Sequence, residues 1–303
     1  MKKYTLLLVA TLIVFATTVV LTFAITSKLN NYKVKKEEIV LLLDAEARLG
    51  NLWEWVPFFG PGDEIMENKR ELEDKADLYY NSAVKNGVIL FSIVVAYLIL
   101  ISLVYGKKEY RNQAIGLSFV MAAMCFLYLG LQSPFLEIQA FKDDVTATLP
   151  ITDEFEFTGT VEGRVYFLYQ NKSVLELIKL LYMGGNYFVA IIILIFSIVF
   201  PTVKLLTSSM VFFAPGSRYS KQAVTVIDKL GKWSMADVFV SSVFLAYFSF
   251  ANMNVGVDTG ASTLIGLYFF VAFVVFSIGS GRFLKNTVIE ASKRRSEADS
   301  IPA

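Results

Sequence analysis

Apolar residues fall along this chain in blocks, not at the short periods of a soluble domain. Residues 4–26, 88–105, 114–131, 187–206, 234–250 and 263–279 each approach the ~20 residues with which an α-helix crosses ~30 Å of hydrocarbon. The pattern predicts six membrane spans. The first run follows Lys2 and Lys3, is longer than a signal-peptide core and ends without a small-x-small cleavage site, so it reads as an uncleaved anchor.

Between the first two runs, residues 27–86 carry nine basic and twelve acidic side chains. A turn signal stands near their middle, where Trp53, Trp55, Phe58 and Phe59 are interleaved with Pro57, Gly60, Pro61 and Gly62. The flanks, 34–49 and 63–85, contain no proline and read as helices; Ile65, Leu72, Ala76, Tyr79 and Ala83 form a helical stripe on the second. The expectation is two membrane helices prolonged into a protruding hairpin. Its aromatics suit either packing of the turn or a tip that docks a partner or touches a membrane.

Residues 133–185 form a second segment outside the spans. Polar and apolar residues alternate over 153–161 and aromatics cluster over 164–169, which predicts two short strands. Val174, Leu177, Ile178 and Leu181 then recur at helical spacing and predict an amphipathic helix. A further amphipathic stretch, 221–232, is expected to lie on the cytoplasmic leaflet. Residues 251–262 read as a short turn, and 282–303 as a polar, disordered tail.

Charge sets the orientation. The amino terminus, the 106–112 connection, the 207–232 segment and the tail are basic, while 133–185 holds eight acidic against four basic residues. Both termini are therefore expected on the cytoplasmic side. A net charge of +1 argues against nucleic-acid binding. One cysteine, Cys125, and no histidine exclude an intrachain disulfide, Cys/His zinc sites and Ser-His or Cys-His nucleophiles. No phosphate-binding Gly-x-x-x-x-Gly-Lys-Ser/Thr loop occurs. No cofactor or metal is expected.

Polar residues inside the spans carry the candidate chemistry, because such groups are costly in hydrocarbon. Lys204 lies sixteen residues beyond Phe188, about 24 Å into a ~30 Å core, hence about 6 Å from its cytoplasmic edge. Asp237 lies four residues past the interface anchor Trp233, again about 6 Å inside. Matching depth on sequential antiparallel helices makes them a candidate ion pair. The alternative is a lysine that snorkels to the headgroups and an aspartate that caps its helix. Pro201 frees a carbonyl one turn earlier, and Ser197, Thr202 and Ser234 are near enough to supply hydroxyls. Together they predict a polar pocket on the cytoplasmic side of the bundle.

The run from Phe196 to Leu205, with Pro201 and Lys204, followed by Trp233-Ser234-Met235-Ala236-Asp237-Val238-Phe239, resembles the two signature stretches of the paraquat-inducible protein A family. The resemblance covers about residues 111–285. It implies a bacterial inner-membrane protein that works with periplasm-bridging MCE-domain proteins to move lipids between membranes. It also carries Pro201, Lys204, Trp233, Ser234 and Asp237 over as the polar core of the module. Two family features are missing: the zinc-ribbon cysteine pairs and a second four-span module. In their place stands the amino-terminal hairpin.

The expectation is an all-α polytopic membrane protein with six transmembrane helices, a long extracytoplasmic helical hairpin and a small extracytoplasmic β segment. It divides into a two-span region, 1–106, a four-span module, 107–285, and a tail, 286–303. Its expected role is a non-enzymatic lipid-handling subunit, with membrane lipids and a periplasmic MCE-type protein as partners. The alternative is a scaffold that docks such a partner without touching lipid. An intramembrane enzyme fits poorly, since the only aspartate within a span is Asp237 and no histidine is present.

Overall fold

The computed structural model describes residues 2–55, 62–105, 111–152, 155–215, 217, 220–233, 242 and 257–299. Helix α1 (Lys2–Leu42) runs through the first apolar block and out into the charged region. Just beyond its end stands Asp44, whose carboxylate accepts from the Glu46 and Ala47 N–H groups at 3.0 and 3.3 Å and so caps a short α2 (Ala45–Leu49). A 3₁₀ turn (Leu52–Trp55) follows, and α3 (Gly62–Tyr105) returns along α1 into the second apolar block. The stripe expected on α3 faces inward: Ala76 and Ala83 are fully buried, Tyr79 packs against the cluster of Tyr32, Ala76 and Leu264, and Ile65 and Leu72 pack against Ile39, Leu43 and Tyr166.

Helix α4 (Arg111–Gln132) is the third apolar helix. Two residues later the chain enters a long antiparallel ribbon, β1 (Pro134–Thr152) and β2 (Phe155–Ser173), registered from Pro134 opposite Ser173 to Thr152 opposite Phe155. The two short strands expected at 153–161 and 164–169 are thus one strand, β2. Gly163, at φ 81°, carries the chain past a bulge between them, and its N–H donates to the Asp144 carboxylate at 2.7 Å. The partner strand β1 was hidden by Pro134 and Pro150 near its ends and by Lys142-Asp143-Asp144 in its middle, which read as loop signals.

The predicted amphipathic helix is α5 (Val174–Met183), opened by a reciprocal capping box between Ser173 and Glu176. Next come α6 (Tyr187–Leu194), a π turn (Ile195–Val199), α7 (Phe200–Phe213) and α8 (Ser220–Trp233). The expected turn at 251–262 ends instead in a strand, β3 (Asp258–Thr263), which pairs with β1 from Leu136 opposite Thr263 to Phe141 opposite Asp258. The sheet order is β2-β1-β3. Gly260 permits this, because a Cβ there would stand 2.8 Å from the Gln139 side chain.

The last helix, α9 (Ile265–Asp299), corrects the expectation of a disordered tail over 282–303 as far as Asp299. Residues 282–299 contain no proline or glycine, Leu284 and Thr287 are buried against the bundle, and Asn112 on α4 donates to Glu290. Helices α4 and α9 form the centre of the core. Phe126 stacks on Phe276 at 5.4 Å between ring centroids, and Phe119, Phe269, Phe270 and Phe273 extend the aromatic layer. Gly130 allows the two backbones to close, since its Cβ would lie 3.0 Å from the Phe270 nitrogen.

Among the described residues, five helical stretches are long and apolar enough to cross a membrane: Ile13–Leu42, Glu64–Val104, Arg111–Gln132, Tyr187–Phe213 and Ile265–Lys293. The run expected as a span at 234–250 lies, apart from Ser242, outside the described residues. The protein is mostly helical, with a small three-stranded sheet.

Candidate functional site

Proline 201 shapes the polar site. It has no N–H to give the Ser197 carbonyl, so an α-helical ladder cannot continue unbroken here. The chain answers with one wider turn, in which the Phe200 N–H reaches the Ile195 carbonyl five residues back. Such π turns inside α-helices recur at functional sites. Ser197, Pro201, Leu205 and Ser208 follow at helical spacing and are all buried, which aims this face of the span at the bundle. Thr202 is half-buried on α7.

Lys204 is half-buried and donates from Nζ to the Ser277 hydroxyl of α9 at 2.9 Å. Ser277 is itself buried, and its carbonyl accepts from Ser280 Oγ at 2.8 Å. Ser208 Oγ donates to the Lys204 carbonyl at 2.8 Å. The Lys204 ammonium is therefore met by a hydroxyl of the sixth apolar run. Sequence reasoning missed Ser277 and Ser280. Their signal was available, since two serines interrupt an otherwise apolar run at i and i+3.

Ser234 and Asp237 lie outside the described residues, as do Phe58 and Phe59. Trp233 ends α8, and Trp53 lies on the 3₁₀ turn. The other predicted tip residue, Trp55, packs on the ribbon: its Nε1 donates to the Leu49 carbonyl at 2.9 Å, and a Cβ at Gly159 of β2 would stand 2.8 Å from its own carbonyl oxygen.

The residue that fixes this docking is Arg48, which no sequence pattern singled out. It is buried, with Nε donating to Glu54 at 2.8 Å and its two terminal nitrogens to the Arg164 and Glu162 carbonyls at 2.9 and 2.8 Å. A bridge between Asp44 and Tyr166 runs beside it. The helical hairpin and the β ribbon are thereby one arm.

Five apolar helices around a shared aromatic core, topped by charged helical and β extensions, define a multi-pass membrane protein. Residues 160–288, which contain the π turn, Pro201, Lys204 and Ser277, match the family model of paraquat-inducible protein A. The family resemblance carried by the two signature stretches is therefore shown for that region; α1 to α4 and all of β1 precede it. No curated protein and no solved structure is significantly similar to the chain.

Proposed function

We propose that the protein is an inner-membrane subunit of an envelope lipid-transport or membrane-homeostasis system, handing lipid to or from a periplasmic MCE-type partner. The observation that carries this reading is the Lys204–Ser277 contact beside a proline-induced π turn, inside the region that matches the paraquat-inducible protein A family. A cation held in an apolar span by a neutral hydroxyl is a station for an anionic group, whether a lipid phosphate or the Asp237 carboxylate. In this reading the chain has six spans with both termini cytoplasmic, the arm reaches into the periplasm, and no covalent chemistry is performed. Lipid exchange between vesicles, measured on the reconstituted protein with and without its co-purifying partner, tests it. Lys204→Met and Asp237→Asn should each lower exchange at least tenfold while insertion and folding are retained. Unchanged exchange in both variants would remove the pocket from the mechanism. Partner capture without any lipid exchange by the native protein would favour the alternative, a scaffold that docks its partner through the arm.

A further inference from the structure

Helices α1, α3 and α4 leave a groove of about 690 Å³ between them, bounded by residues 14–23, 94–98 and 117–128. All three segments lie within stretches long and apolar enough to cross a membrane. Phe15, Phe23 and Tyr128 in its wall are exposed, so the groove opens to the medium around the bundle. Of the described wall residues only Phe213, which ends α7, belongs to the 160–288 region.

Among the described residues the wall carries no charge, and its small polar groups are occupied within the protein. Thr18 Oγ1 donates to the Phe15 carbonyl at 2.8 Å, Thr22 Oγ1 to the Thr18 carbonyl at 2.8 Å and Ser118 Oγ to the Ala114 carbonyl at 2.9 Å. With the Thr22 hydrogen so used, the Cys125 thiol gives its own to Thr22 Oγ1, 3.1 Å away. Apart from two tyrosine hydroxyls, such a wall offers nothing to an ion, a headgroup or a peptide backbone, whose polar groups would go unpaired there. It suits hydrocarbon.

Size narrows the occupant further. At 1.5 Å per residue the groove is about 14 Å long on α1 and about 16 Å on α4, close to half of a ~30 Å hydrocarbon core. A second helix, about 10 Å across, would displace over ~1,000 Å³ in that length and is too large for the space. An alkyl chain is about 4–5 Å across, from carbon contacts of 3.5–4.0 Å, and fills roughly 250 Å³ over the same length, so two chains fit side by side. Depth selects the leaflet. Phe23 lies about 5 Å from Thr26, where the apolar run of α1 ends toward the arm, and Val14 about 15 Å from Tyr4 at the other end. On α4, Tyr128 lies about 6 Å from Gln132 on the arm side and Leu117 about 9 Å from Arg111. The groove is displaced toward the arm.

We infer that the groove between α1, α3 and α4 seats the two acyl chains of one phospholipid from the arm-side leaflet, recognised through its chains and not its headgroup. A chain here is touched by three helices, whereas one lying on an ordinary helix face is touched by one, and the added dispersion contacts hold it against exchange with bulk lipid. Met121 and Met124, unbranched and adaptable, let the wall follow chains of different length and kink. The inference rests on the lipid-handling reading above and gives the lipid a seat almost wholly in the part of the chain that precedes residue 160.

The full-length protein is placed in bilayer nanodiscs containing a trace of phosphatidylcholine with a diazirine midway along one chain, irradiated, and its labelled residues are located by peptide mass spectrometry. Labelling of the groove wall should exceed that of Val275 and Ile278, exposed apolar residues near the middle of the last helix, about fivefold. Probes with ethanolamine or glycerol headgroups should give the same pattern, and a one-chain lysolipid probe a weaker one. Val19→Trp combined with Met121→Trp, both partly exposed wall positions, should bring the groove down to the level of the other faces. Label spread evenly over all lipid-facing helices, a pattern that changes with headgroup, or undiminished label in the double variant would overturn the site. So would an unlabelled wall, which would mean that residues 234–250 or a second copy of the chain fill the groove. If the double variant does not fold, Val19→Trp alone decides, with an expected drop of about twofold on the α4 wall. Vesicle exchange on the same preparations separates this site from the transport reading. Exchange with evenly scattered label removes only the groove, and a labelled groove without exchange removes only transport.

Discussion

The two halves of this molecule are held together by different physics. In the bundle, α4 and α9 close on one another through stacked phenylalanines and Gly130, and polar side chains are mostly spent on carbonyls of their own helix, as Ser208 and Ser280 show. In the arm, the elements are joined by charge. Arg48 clamps the helical hairpin to β2, and Glu137 accepts from Tyr32 at 2.8 Å across from α1 to β1. Burial alone would raise the Glu176 carboxyl, but the Lys33 ammonium and the Ser173 N–H outweigh it and hold the group below its ordinary range. Hydrocarbon offers helices little hydrophobic drive to associate, so shape decides there. Outside the bilayer, elements drawn from distant parts of the chain need directional contacts to find one register.

The contrast can be broken most severely at Arg48. Arg48→Met leaves the Glu54 carboxylate and two ribbon carbonyls without their donor. The loss expected for a buried, hydrogen-bonded charge is about 3–5 kcal/mol. Hydrogen exchange should show residues 162–166 losing protection while α4 and α9 keep theirs. Equal loss in both regions would mean that arm and bundle are one cooperative unit.

The bundle's counterpart is Gly130→Val, whose side chain would press on the Phe270 backbone. Overpacking of this kind costs about 1–3 kcal/mol. It should lower thermal stability in detergent and leave the arm's exchange pattern unchanged.

The smallest effect is a pH response confined to the ribbon. Arg164 hydrogen-bonds Asp143 at 3.0 Å and holds its carboxyl below the usual range. A depressed folded-state value means that the contribution is present above the unfolded carboxylate pKa and fades as pH falls through the folded one. The pair is largely exposed, so the change should stay within about 1 kcal/mol. Ribbon exchange compared at pH 7 and pH 3 should differ in the native protein and scarcely in Asp143→Asn.

What could be read from the sequence follows the same division. The apolar blocks at 4–26, 88–105, 114–131, 187–206 and 263–279 coincide with helices, because membrane thickness imposes a length that composition reveals. Pro201 announced an interruption of the helical ladder, and the structure places a π turn there. The arm was harder. Its two helices were visible from their lack of proline and, on the second, from its stripe, but β1 was not, because its prolines and its Lys142-Asp143-Asp144 run belong equally well to a loop. Little local marks Arg48 or Glu137: apart from Glu54, the groups Arg48 holds, and the Tyr32 that meets Glu137, stand more than one hundred residues away.

The joints between sheet and bundle are very short. Only Ser133 separates α4 from β1 and only Leu264 separates β3 from α9, and the Leu264 N–H donates across the gap to the Phe135 carbonyl at 3.0 Å. A Cβ on Gly266 would collide with the Ser133 and Pro134 carbonyls, so the crossing has no slack. The sheet therefore acts as the crosspiece of a rigid lever whose shaft is the α4–α9 pair. A tilt imposed on the ribbon would reappear as a tilt at the far end of α9, about 50 Å away along a helix of 35 residues.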